Sequence, residues 1–152
     1  MQISKVQMML TLVIAVSGLT TAALAHVTLR PAEVVLSATD TYTVRVPSEG
    51  SVATISAELE IPDGVTVVSV EGAPDTYEVK KTGTRISAIV WKTNIPAGER
   101  GEFKFTAQNP SQGAEIAWKA HQFFSDGTRT DWIGPKGSDR PGPLTILNAA
   151  AP

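Results

Sequence analysis

His26 is the residue of this 152-residue chain best placed to do chemistry, because Ala23-Leu24-Ala25 before it has the small-x-small form of a signal-peptidase site. A cut after Ala25 leaves an α-amine and an imidazole on one residue. Such groups ordinarily titrate at about 7.7–8.0 and about 6.5, so a competing cation can displace their protons near neutral pH. The two nitrogens close a chelate ring on a tetragonal ion and leave positions for water and one carboxylate. The plain alternatives are a solvated terminal histidine, a cut after Ala23, or an uncleaved anchor over Met8 to Ala25. Ser17, Gly18, Thr20 and Thr21 interrupt that stretch, and its apolar core is too short for a bilayer of about 30 Å.

Sulfur is excluded from such a site. The chain has no cysteine, and Met1, Met8 and Met9 all precede Ala25. A blue-copper centre needs a thiolate, and Cu(I) favours thiolate or thioether, so copper bound here is expected as Cu(II) on nitrogen and oxygen. The second histidine, His121, shares a strand face with Glu115, Lys119 and Phe123, and reads either as a second imidazole or as a polar-face residue. Glu33, Asp40 and Glu49 are the carboxylates near the start of the mature chain. Trp91 and Trp118 lie in apolar runs and read as core, whereas Trp132 ends a strand after Asp131 and reads as less buried. No nucleophile elbow and no glycine-rich phosphate loop is present, so hydrolase and nucleotide chemistry find no support.

These residues need a frame, and the pattern supplies one. Removal of residues 1–25 as a signal peptide leaves about 127 residues, one domain with a core of its own. The precursor carries a net charge of −2. No basic run appears, which argues against nucleic acid and anionic membranes as partners. Tyr42, Val44 and Val46 alternate with polar neighbours, as do Ile55, Ala57, Leu59 and Ile61. Turns are expected at Pro62-Asp63-Gly64, Thr82-Gly83, Pro96-Ala97-Gly98 and Asp126-Gly127. Ile116, Trp118, Ala120, Gln122 and Phe124 share one strand face, and Thr128 to Ile133 returns beside it. Seven to nine short strands imply an all-β, antiparallel β-sandwich over residues 26–134, of immunoglobulin-like Greek-key type. Residues 135–152, rich in proline and glycine, are expected as an extended strap or a partly disordered end.

The string His26-Val27-Thr28-Leu29-Arg30-Pro31-Ala32-Glu33 resembles the start of the YcnI-like family of exported bacterial copper-binding domains. The likeness continues through Thr41 to Pro47, Glu60 to Val65, Ala107 to Pro110, Ala117 to Gly127, Asp131 to Pro135 and Gly137-Ser138. It thus covers essentially the whole mature chain in order. The resemblance implies a cupredoxin-like sandwich and a mono-histidine brace, in which the first residue holds Cu(II) through amine and imidazole. It places the histidine at His26, the adjacent tryptophan at Trp132 and the acidic ligand at Asp40, with Glu33 and Glu49 as substitutes.

The expected function is that of an exported Cu(II)-binding protein, a copper chaperone or carrier rather than an enzyme. It would be periplasmic or at the cell surface, with the copper ion and other copper-transport proteins as partners and no membrane span in the mature chain. The competing readings are a histidine-brace copper monooxygenase using His26 and His121, and a metal-free structural sandwich.

Overall fold

A computed structural model of the chain describes residues 25–152. Apart from Ala25, the leader expected over residues 1–25 lies outside the described residues. Twelve strands and no helix are present among the described residues. In chain order they are β1 (Thr28–Arg30), β2 (Glu33–Val35), β3 (Thr39–Pro47), β4 (Thr54–Glu60), β5 (Thr66–Val70) and β6 (Tyr77–Thr82). Then come β7 (Arg85–Ile95), β8 (Arg100–Gln108), β9 (Glu115–Ala117), β10 (Lys119–Phe124), β11 (Arg129–Trp132) and β12 (Leu144–Asn148).

The period-two pattern places the core. Along β3, Tyr42, Val44 and Val46 are buried between less buried neighbours. β3 is the long inner strand of a sheet ordered β1-β3-β8-β5, and β4 is central in a second sheet ordered β11-β10-β4-β7-β6. Aromatic side chains meet between them: Tyr42 stacks on Phe105 at 5.3 Å, Trp91 of the second sheet tilts against Phe105 at 6.3 Å, and Trp118, between β9 and β10, meets the edges of Tyr42 and Phe105 at 5.3 and 5.9 Å. Each of these rings removes roughly 150–250 Å² from water, so this cluster carries much of the sandwich's hydrophobic stabilisation. The fold is an all-β sandwich, as the alternation implies.

The twelve strands exceed the seven to nine expected, because three-residue segments such as β1, β2 and β9 pair on their own, and three further details depart from expectation. Ile55 is 45 % exposed, although alternation groups it with the inward residues of β4. The β4–β7 register shifts between Thr54 and Ser56, and this bulge turns Thr54 inward and Ile55 out. The long strand expected around Trp118 is two strands. β9 joins a small sheet ordered β2-β12-β9, β10 joins β4, and Trp118 sits at the corner, its amide bonded to the Pro143 carbonyl at 2.9 Å. The tail is extended, but it also contains β12, the central strand of that small sheet. β12 runs parallel to β2, the single parallel pair among the described strands, and buries Thr145 and Leu147.

Candidate metal centre

β1 carries His26 to the site. Val27 and Leu29 are buried at 3 % exposure and fix this short edge strand, leaving His26 just outside its first residue. The imidazole of His26 rests against the indole of Trp132, with ring centroids 5.5 Å apart and planes tilted by 56°. The two residues singled out from opposite ends of the domain therefore meet. Trp132 is nevertheless only 8 % exposed, more buried than its strand-end position suggests. It is held from beneath: its indole Nε1 donates to Gln122 Oε1 at 3.1 Å.

By strand register Asp40 lies apart from them. β1 and β3 are antiparallel, with Thr28 opposite Arg45 and Arg30 opposite Thr43. Continued two residues outward, that register sets His26 level with Pro47, seven strand residues from Asp40. At about 3.3 Å per residue the separation along β3 is roughly 20 Å. Asp40 has a structural partner instead. Asn109 Nδ2 donates to Asp40 Oδ2 at 2.7 Å and to the Val35 carbonyl at 2.8 Å, while Asn109 Oδ1 accepts the buried Tyr42 hydroxyl at 2.5 Å. Burial first, and the Asp40 charge second, push the Tyr42 phenol well above its ordinary range.

By strand register Glu49 lies two residues past the position level with His26, and Glu33 shares a groove with it. Glu49 follows Pro47 by two residues, at the exposed start of the turn between β3 and β4. Glu33, on β2, lines a groove of about 540 Å³ together with His26, Thr28, Lys136, Leu144 and Ile146. One wall of this groove is the loop of residues 134–142, closed by Gly134 and Gly142 through hydrogen bonds of 2.9 Å. A Cβ on Gly142 would collide with the Trp118 carbonyl oxygen, so the loop can lie this close to the core only with glycine there.

His121 is elsewhere. It pairs with Asp131 across β10 and β11, and its side chain faces outward, opposite to that of Ala120, which is level with Trp132. Its Nδ1 donates to Asp131 Oδ1 at 2.6 Å, and Nε2 lies 3.3 Å from Glu60 Oε2. The hydrogen bond from His121, assisted by the Arg129 guanidinium, holds the Asp131 carboxyl below the usual carboxylate range. The second sheet thus separates the two histidines. Among the described residues no three His, Cys, Asp or Glu side chains converge as a metal-holding group. Gln122 faces inward, as alternation implies, but its part in the site does not follow from alternation. The signal that marks it is an amide in the middle of the otherwise apolar set Ile116, Trp118, Ala120 and Phe124.

Comparison with known proteins bears on this arrangement. The family described as "Domain of unknown function (DUF1775)" matches residues 73–145. The Copper-binding protein CutI of Bacillus subtilis (strain 168) is 32 % identical over 135 residues, covering 86 % of this chain. The match spans 66 % of the length of that curated relative. An uncharacterised protein of Nocardia farcinica with an immunoglobulin-like fold superposes with a TM-score of 0.72 at 22 % identity, covering 81 % of this chain and 98 % of that one. A non-cellulosomal cohesin of Archaeoglobus fulgidus gives 0.50 at 11 % identity, covering 83 % and 91 %. The two structures speak to the fold alone.

Proposed function

For this chain, which belongs to the YcnI-like family, we propose the role of an exported copper-binding protein that holds Cu(II) through His26 as its first mature residue. The relative named for copper binding motivates the choice of metal. The observation that carries the reading is the contact of the His26 imidazole with Trp132 at the outer end of β1. It sets the imidazole beside an anchored indole, and the backbone nitrogen of the same residue lies before the start of the strand, where a cut after Ala25 would free it.

The donor set fits the divalent ion. A tetragonal Cu(II) site takes nitrogen and oxygen donors, and the amine freed by a cut after Ala25 would add a second nitrogen beside the imidazole. One imidazole, one amine and one carboxylate are the donors of this reading, and Glu49, two residues beyond the position level with His26, is the carboxylate it assigns. Copper supplies no chemistry here beyond being cargo. Trp132 covers one side of the imidazole and limits its rotation, so less freedom is lost when the ion arrives. Such a site suits capture and hand-over of copper in the periplasm or at the cell surface. The monooxygenase reading would need His121, which faces the other way.

The test compares the processed protein, its first residue established by intact mass, with a form carrying one extra residue before His26. The processed form is expected to bind Cu(II) with nitrogen hyperfine structure from amine and imidazole. The extended form is expected to lose at least tenfold in affinity. Equal tight binding by both refutes the terminal chelate.

A further inference from the structure

We propose that Gln122 is the positioning residue of the His26 site: one buried side chain that fastens both the Trp132 indole and the segment Pro47-Ser48-Glu49. This rests on the reading of His26 as the metal-binding terminus, and on Glu49 as its neighbour.

Gln122 is 1 % exposed on the inward face of β10. Its hydrogen-bonding groups are committed in two directions. Oε1 accepts from Trp132 Nε1 at 3.1 Å, on the side of His26. Nε2 donates to the Pro47 carbonyl at 2.8 Å and to Thr54 Oγ1 at 2.7 Å. The order of donors then continues without conflict. Thr54 Oγ1 donates to Ser48 Oγ at 2.9 Å, Ser48 Oγ also accepts the Thr54 amide at 3.1 Å, and Ser48 Oγ donates to the Val52 carbonyl at 3.3 Å. Ser48 and Thr54 are fully buried. The turn bearing Glu49 is therefore tied down at both ends, and the tie passes through the same amide that holds Trp132.

The chemistry requires an amide. The indole nitrogen needs an acceptor and the Pro47 carbonyl a donor, and glutamine presents one of each on a single planar group. An apolar residue of similar size fills the space but leaves both partners buried and unpaired. Partners of this kind, one step removed from the ligands, orient a metal site, and their loss costs about 10- to 100-fold in affinity.

The test uses Gln122→Leu and Thr145→Val in the processed protein. Without metal, exchange of the three tryptophan indole protons with solvent reads the indole anchor directly. Gln122→Leu is expected to speed exchange of the Trp132 proton while leaving that of Trp118, which bonds Thr145 Oγ1, unchanged. With Cu(II), Gln122→Leu is expected to bind 10- to 100-fold more weakly, with altered paramagnetic resonance parameters. Thr145→Val removes a buried hydroxyl that accepts from Trp118 Nε1 but leaves Gln122 on Trp132, Pro47 and Thr54. It is expected to speed exchange of the Trp118 proton alone, and to stay within threefold of the parent in Cu(II) affinity with the Trp132 proton protected. Should Gln122→Leu not fold, Gln122→Asn, one methylene too short to span both partners, is expected to show the same losses. Parent-like exchange and parent-like Cu(II) affinity in the folded Gln122 variant overturn the proposal. If the parent binds copper without needing a free His26, the metal reading falls, whereas indole exchange still decides whether Gln122 positions Trp132.

Discussion

Replacing Asp40 and Glu49 by alanine, each alone, tests the assignment of Glu49 rather than Asp40 as the carboxylate of the proposed site. Asp40 stands roughly 20 Å from His26 along β3 by strand register. At that distance a unit charge and a divalent ion interact by about 0.4 kcal/mol in water, and screening over a Debye length of about 8 Å cuts this to under about 0.1 kcal/mol. Asp40→Ala should thus change Cu(II) affinity by less than about 1.5-fold. Its cost lies in stability, because Asn109 Nδ2 loses the acceptor at 2.7 Å that helps hold it beneath Tyr42. A hydrogen bond to a charged group contributes about 1.5–3 kcal/mol, and the half-buried position of Asp40 favours the lower end. For a domain of this size that corresponds to a Tm lowered by roughly 6 °C. Glu49→Ala is expected to do the reverse, leaving Tm within about 2 °C, since an exposed turn residue contributes little, and weakening Cu(II) binding by about tenfold or more. Calorimetric titration with a competing chelator, beside thermal unfolding of the metal-free variants, reads both quantities. A tenfold loss of affinity in Asp40→Ala at unchanged Tm would falsify the register argument.

Two further outcomes follow from titrating groups away from the centre. The Tyr42 phenol is raised above its ordinary value of 10.0 by burial and by Asp40, so its contribution to stability is complete below pH 10 and is lost as pH rises through the raised value. Urea unfolding between pH 9 and 11 should show this loss, and Tyr42→Phe should flatten it; an equally steep fall in that variant counts against the assignment. The Asp131 carboxyl is lowered, first by its hydrogen bond from His121, so its contribution is present above the ordinary value of 3.8 and is lost as pH falls through the lowered one. His121→Ala should weaken the stability loss below pH 4 and leave Cu(II) binding intact. Lost nitrogen hyperfine coupling in that variant would revive a two-histidine centre.

The sandwich is legible because most strands bury one face, and alternation reports that directly, as along Tyr42, Val44 and Val46. Alternation fails at Ile55, where a bulge inserts one residue and reverses the phase without any glycine to announce it. It is silent for Leu144 to Asn148, five residues set among prolines and glycines. Only β2 and β9, more than 25 residues away in sequence, give that segment its partners. The candidate site divides in the same manner. His26 and Trp132 are marked by residue type and by family likeness, and the fold joins them. Asp40 is favoured by its place in a linear pattern, whereas nearness to His26 is set by antiparallel register, which runs β3 the other way and brings Pro47 and Glu49 to that end. Gln122 shows the remaining limit: its inward direction is readable from period two, but the partners of a buried amide come from separate segments of the chain.

The parallel pairing of β12 with β2 has a bearing on when the groove can exist. Residues 33–35 find their partners at 146–148, and the wall facing His26 includes Leu144 and Ile146. Contacts spanning more than a hundred residues form late, since the intervening chain must first be ordered. A polypeptide made only to residue 134 has β1 paired with β3 but leaves β2 without its neighbour, so synthesis must run to about residue 148 before the cradle beside His26 can close.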